Sequence, residues 1–177
     1  GPDGEPVSFL TFVLAASVVQ AVMLGAISGG ADVALDIENG FFERLLASPV
    51  SRLSILAGRL AGAAVVGAGQ AVIFVVLFRL FGVEIQGGLP GVLVIVLTAL
   101  LLAVAVGALA AAIGLRTGLQ EAVNNSFPLI FILLFISSAF FPTGLMDGWY
   151  RWVAEHNPLS WIINGMRYQV ITGFDLG

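Results

Sequence analysis

Residues 6–31, 60–78, 85–115 and 122–146 contain no charged side chain. A helix crosses roughly 30 Å of hydrocarbon with about 20 mostly apolar residues, and a soluble core helix rarely runs so far without a charged face. Each of the four stretches is long enough to span a bilayer. A mean hydropathy of +1.04 and 59% hydrophobic residues agree that the solvent for most of the chain is lipid. The seven basic and eleven acidic residues are left to the interruptions, and function has to be sought there.

Composition excludes several classes of activity. The net charge is −4 and the arginines are scattered, so no basic stripe exists to neutralise a phosphate backbone and nucleic acid is not an expected partner. With no cysteine and one histidine, disulfides, thiolate chemistry and a histidine metal cluster within one chain are ruled out. The chain contains no lysine, so it has no Walker A loop and cannot be its own ATPase. The opening Gly1-Pro2-Asp3-Gly4-Glu5-Pro6 lacks an initiator methionine and a signal-peptide pattern. Together with an apolar turn at Ile162–Gly177 that stops short of a full span, it reads as the start of a fragment.

The expected architecture is an all-α membrane bundle of four spans, at about 7–31, 54–81, 89–115 and 122–145, with a C-terminal stub over 161–177. Gly25-xxx-Gly29 in the first span, Gly58-xxx-Gly62 in the second and the stripe Ala103, Gly107, Ala111, Gly114 in the third place small residues on one helical face, which lets helices approach closely. That pattern predicts packing, with the third span central. Arg59 and Arg79 lie near the two ends of the second span, where they can snorkel to headgroups. In the fourth span Asn124, Asn125 and Ser126 precede Pro128, which predicts a locally opened helix. Its polar groups either satisfy their own kink or, with Gln20 of the first span, line a transport path. Arg44, Arg52, Arg59 and Arg116 fall on one side of the membrane and Arg79, Arg151 and Arg167 on the other. Both loops of the first side carry arginine, which assigns it to the cytoplasm.

The most charged stretch is Asp36-Ile-Glu-Asn-Gly-Phe-Phe-Glu-Arg-Leu-Leu-Ala-Ser-Pro-Val-Ser-Arg52. Gly40 breaks the preceding helix and Pro49 ends the next one. Between them Phe41, Phe42, Leu45 and Leu46 recur at helical spacing opposite Glu43 and Arg44. This predicts an amphipathic helix of about two turns over 41–47, then a cap from Ser51 or Ser54 on the second span. So short a helix is not stable alone in water and must rest on the bilayer surface, on its own bundle or on another protein. The mixed charges of Glu43 and Arg44 suit a protein rim better than anionic lipid.

The string from Glu38 through Pro49 and Arg52 to Arg59 resembles the loop of type-2 ATP-binding-cassette (ABC) exporter permeases of the daunorubicin-resistance kind, in which an acidic residue, Gly, Thr, Glu, Leu-Leu, Thr-Pro-Val and Arg occur in order. Asn157-Pro158-Leu159-Ser160-Trp161, continued by Ile-Ile-Asn-Gly-Met-Arg167, is similar to that family's segment leading into its last span. The resemblance implies a six-span permease of which the first and last spans are missing here, in a bacterial plasma membrane. It implies that 41–47 is a coupling helix docked on a separate ABC ATPase subunit, with Glu38, Gly40, Phe41, Glu43, Arg44, Leu45, Leu46, Pro49 and Arg52 as coupling residues. It also implies a second permease chain, as homo- or heterodimer. No cofactor is expected on this chain, while ATP and Mg bind the partner. Phe41, Phe42, Ser48 and the stretch Met146–Trp149 depart from the family pattern.

The outer segment, about 140–160, carries Trp149, Tyr150 and Trp152 as an interfacial aromatic belt, and Asn157-Pro158 as a helix start. Anchoring is one reading of it. Short re-entrant helices closing the path from outside are what the resemblance implies. His156 is read as an interfacial polar residue rather than a proton relay. The expected function is export of an amphipathic, drug-like or lipid-like substrate driven by the partner's ATP hydrolysis. The alternative is an ATP-independent channel or secondary transporter, whose marks would be intramembrane carboxylates or inverted repeats; neither stands out in the sequence.

Overall fold

The computed structural model describes residues 9–137, 139 and 148–172. Eight helices are described: α1 (Phe9–Glu38), α2 (Phe41–Leu46), α3 (Arg52–Leu80), α4 (Gly88–Thr117), α5 (Gln120–Asn124), α6 (Phe127–Phe135), α7 (Gly148–His156) and α8 (Pro158–Ile171). Among the described residues α1, α3 and α4 are long and apolar enough to cross a membrane. At 1.5 Å per residue, a 30-residue helix such as α1 or α4 is about 45 Å long, enough to pass the hydrocarbon and enter both interfaces.

These three helices form the body of the molecule. α1 lies against both others, burying Leu14, Val18, Val22, Ala26 and Gly30, and α4 buries Ile95, Ala99, Ala103, Val106 and Ala110. In lipid there is no hydrophobic driving force between helices, so close approach and van der Waals packing hold them together. The contacts are accordingly made by the smallest residues. A methyl group added at Gly30 would collide with the Ala110 side chain and backbone, and one at Gly114 would come within 3.2 Å of Ala34 Cβ and of the Gly30 carbonyl. A methyl at Gly107 would lie 3.3 Å from Ala63 of α3. The third span packs against both α1 and α3, as its small-residue stripe predicts, but the most buried helix is α1; α4 leaves Leu93, Leu97, Leu101 and Leu109 exposed. Gly25 packs under the Gln70 carboxamide, whereas a methyl added at Gly29, Gly58 or Gly62 would meet nothing within 4 Å, so the close approach expected of Gly58-xxx-Gly62 is not made among the described residues. α3 buries Ala71 and Val75 and leaves Val65, Ile73, Val76 and Leu80 exposed.

Two expectations are refined. The helix that carries the first span runs past residue 31: α1 continues to Glu38, carrying Asp32 and Asp36 within the helix, and ends as expected ahead of Gly40, whose φ of 68° is the left-handed conformation that glycine adopts without steric cost. The stretch 122–145 is not one continuous helix. α5 stops at Asn124, a turn comes next at Asn125 and Ser126, and α6 begins at Phe127. Pro128 has no N–H for the Asn124 carbonyl and its ring excludes a regular turn there. Ser126 Oγ instead donates to the Val123 carbonyl at 2.6 Å. With nine residues α6 reaches about 14 Å, short of a full crossing.

Beyond α6 the chain folds back on it. Tyr150 Oη donates to the Phe135 carbonyl at 2.8 Å and Asn157 Nδ2 to the Leu133 carbonyl at 2.8 Å, so α7 is tied at both ends to the last turn of α6. α8 then leads away to the end of the bundle opposite α2. There the N–H groups of Gln86 and Gly87, in the α3–α4 turn, donate to the Val170 and Gln169 carbonyls at 3.1 and 3.0 Å, occupying carbonyls that the end of a helix leaves without partners. Arg167 sits 3.7 Å above the Phe12 ring, donates to Asn164 Oδ1 at 2.9 Å and reaches the Ala139 carbonyl at 3.3 Å.

Candidate functional site

One end of the bundle, the one expected to face the cytoplasm, gathers the loop between the first two long helices. α1 ends as the Asn39 N–H bonds back to Leu35 and that of Gly40 to Ile37, each at 3.0 Å. Gly40 reverses the chain and α2 starts directly after it. Ser48 Oγ donates to the Leu45 carbonyl at 2.5 Å, Pro49 prevents continuation, and Ser51 caps α3 by accepting from the Ser54 N–H at 3.1 Å. The helix, turn and helix expected from the spacing are present, with α2 one residue shorter than 41–47.

No residue of α2 is buried. Phe41 and Leu46 are 49% and 40% exposed, Glu43 and Arg44 are exposed, and Phe42 and Leu45 are half-buried. Between α2 and the long helices lies a cavity of about 330 Å³ lined by Val33, Phe42, Leu46, Ile55, Leu56, Arg59 and Leu115. α2 therefore rests on the bundle along one edge and presents an apolar, mixed-charge surface outward. A second space of about 320 Å³, lined chiefly by Gly25, Gly29, Gly58, Gly62 and Ala63 with Asp32 and Arg59 at one end, runs between α1 and α3.

Two polar ties fasten the end of α1. Asp36 forms an ion pair with Arg59 of α3, their side chains 24% and 32% exposed. Glu38 Oε1 accepts from the backbone N–H of Gln120, the first residue of α5, at 2.8 Å. Glu38 thus turns toward α5 rather than standing with Phe41 and Arg44. Arg59 is held by a carboxylate on the neighbouring helix rather than only reaching for headgroups. Neither tie was visible in the sequence, since both partners in each pair are far apart along the chain. Four residues of the expected coupling set, Phe41, Glu43, Arg44 and Leu46, are exposed, with Leu46 also lining the cavity beneath α2. Gly40 forms its hinge, Leu45 lies partly against the bundle, and Pro49 is exposed in the turn between α2 and α3. The side chain of Arg52 lies outside the described part of the structure.

The candidate pathway residues are not brought together. Gln20 lines a narrow crevice with Met23, Leu24 and Ile27 of α1 facing Phe127, Phe131 and Leu134 of α6. Asn124 and Asn125 are exposed at the α5–α6 turn, and Ser126 is engaged with Val123. In the outer segment Trp149 and Trp152 are exposed, Trp149 edge-on to Tyr150 at 5.8 Å and Trp152 stacked on His156 at 4.5 Å. Asn157 caps α8 by accepting from the Leu159 N–H at 2.9 Å, with Pro158 in the first helical position, where its missing N–H is not needed. Residues 140–147 of that segment and 173–177 of the expected last span lie outside the described residues.

Long apolar helices, small-residue contacts between them and a short amphipathic helix held outside one end describe a multi-pass membrane protein. The chain belongs to the ABC-2 type transporter family, which it matches over residues 6–171. It is 30% identical over 153 residues to the daunorubicin resistance ABC transporter permease protein DrrB1 of Streptomyces coeruleorubidus, a match covering 86% of this chain and 54% of that protein. It is also 30% identical over 182 residues to the putative transport permease ycf38 of Pyropia yezoensis, covering 91% of this chain and 56% of that protein. The chain spans about half the length of the curated relatives it matches. No solved structure matches it.

Proposed function

We propose that the protein is the membrane subunit of an ABC exporter, which moves an amphipathic, drug-like or lipid-like substrate outward across a bacterial plasma membrane using ATP hydrolysed by a separate subunit. ATP and Mg²⁺ are assigned to that partner; the 177 residues here hold no lysine and hence no Walker A loop. The observation that carries the reading is α2: a six-residue helix with Phe41 and Leu46 exposed beside Glu43 and Arg44, seated over a cavity at one end of the bundle. A helix this short needs a supporting surface, and aromatic and aliphatic anchors rimmed by charges of both signs fit a groove on a protein. Membership of the ABC-2 family supports an ATPase as that protein. A second permease chain completes the translocation path, and lipid covers the outward face of α3.

The test is affinity purification of the complete permease from its own membranes in mild detergent, with mass spectrometry of the proteins recovered. Near-equal recovery of a Walker-A-containing ATPase is expected. Its absence would favour a transporter that works without ATP.

A further inference from the structure

α2 is poorly placed to push directly on the helices above it. None of the α2 side chains is buried, Phe42 and Leu45 are only half-buried, and Phe42 and Leu46 meet Ile55, Leu56, Arg59 and Leu115 across a cavity of about 330 Å³, so the contact of α2 with α3 and α4 is loose. Packed interfaces transmit displacement because they are dense, and the dense route here runs through the end of α1. Two residues before Gly40, Glu38 accepts from the Gln120 N–H at 2.8 Å. One turn further back Ala34 packs against Gly114, and Ile37 Cγ2 lies 3.6 Å from where a side chain at Gly118 would begin. Gly118, at φ 64°, turns the chain from α4 into α5, and Val123 of α5 is fully buried. The last turn of α1 and the α4–α5 corner are therefore one packed unit with one charged hydrogen bond across it.

We propose that Glu38 is the positioning residue that carries movement of α2 to α5, and through it to the Asn124-Asn125-Ser126 break ahead of α6. The inference rests on the reading of α2 as the docking element for an ATPase, and it assigns the exit point of that movement within the permease. Glu38 is exposed, so its bond gains from the charge of the acceptor while solvent screens it; it acts on the first residue of α5, so a shift of Glu38 displaces the start of α5. A contiguous connection of this kind counts as coupling only if cutting it abolishes the remote response.

The chain has no cysteine, so one introduced by Asn125→Cys is a unique reporter on the exposed turn after α5. In the complete permease with its copurified ATPase, the maleimide labelling rate of this cysteine is measured without nucleotide and with ATP plus vanadate. The expected result is a nucleotide-dependent change that is lost with Glu38→Ala and retained with Glu38→Gln, whose carbonyl still accepts, while the ATPase copurifies with both. A nucleotide-dependent change that survives Glu38→Ala would overturn the role of Glu38 and leave ATPase docking intact. Failure of any ATPase to copurify with the unmodified permease would overturn both. Loss of the response in Glu38→Ala together with loss of the ATPase would also overturn it, because Glu38 would then belong to the docking surface.

Discussion

Asp36 of α1 is ion-paired with Arg59 of α3, closing the base of the helical hairpin from which α2 projects. Neither side chain is fully buried, so the pair stands between an exposed pair, contributing about 0.2–1 kcal/mol, and a buried one whose disruption costs about 3–5 kcal/mol. Asp36→Asn and Arg59→Gln are each expected to lower stability by about 1–3 kcal/mol on that scale. The exchange Asp36→Arg with Arg59→Asp is expected to recover much of the loss. Thermal unfolding in detergent of the two singles and the double measures the coupling; equal losses with no recovery in the double would show that the pair contributes nothing specific.

The adjacent glycines of α1 should behave oppositely. Gly30→Ala drives a methyl into Ala110 of α4, whereas at Gly29 nothing lies within 4 Å. The first substitution is expected to cost about 1–3 kcal/mol as overpacking. The second is expected to be neutral or to stabilise by up to about 1 kcal/mol through helix propensity. Unfolding midpoints of the two variants decide this, and a Gly29→Ala as damaging as Gly30→Ala would mean the α1–α4 contact is misassigned.

That contrast shows what the sequence could and could not disclose. Of the Gly25-xxx-Gly29 pair only Gly25 meets a neighbouring helix while Gly29 faces open space; α1 carries no charge before Asp32, and no charged stripe marks which small residue faces a neighbour. Gly30, one position on, makes the close approach to α4. The stripe Ala103, Gly107, Ala111, Gly114 was legible because its small residues all fall on one face. The fourth uncharged stretch looked like a span because hydropathy sums composition over a window, and Pro128 was read as a kink. The opening expected ahead of Pro128 is present, as a full break between α5 and α6 at Asn125 and Ser126. The boundaries of the 41–47 helix were readable from Gly40 and Pro49, since both act locally on the backbone. The Asp36–Arg59 and Glu38–Gln120 ties were not, because each depends on how distant helices dock.

Asn157 joins α8 to α6 through two separate hydrogen bonds, one in each direction: its Oδ1 accepts from Leu159 and its Nδ2 donates to the Leu133 carbonyl. Asn157→Ala should lose both, at about 1 kcal/mol for the cap and about 1–3 kcal/mol for the orphaned carbonyl. Asn157→Ser keeps a capping oxygen and should forfeit only the second part. Stability measured across the three side chains is expected to fall in the order Asn, Ser, Ala; a serine variant no better than alanine would assign the whole effect to the bond with Leu133.

The most direct test of the central reading places a photo-crosslinking side chain at Phe41 on α2 or, as a control, at Leu89, which is equally apolar and 74% exposed at the other end of the bundle. Irradiation of native membranes containing the complete permease is expected to join position 41, and not position 89, to a protein with a Walker A motif. Capture of lipid alone from position 41, or of the same proteins from both positions, would contradict the assignment of α2 as the surface on which an ATPase docks.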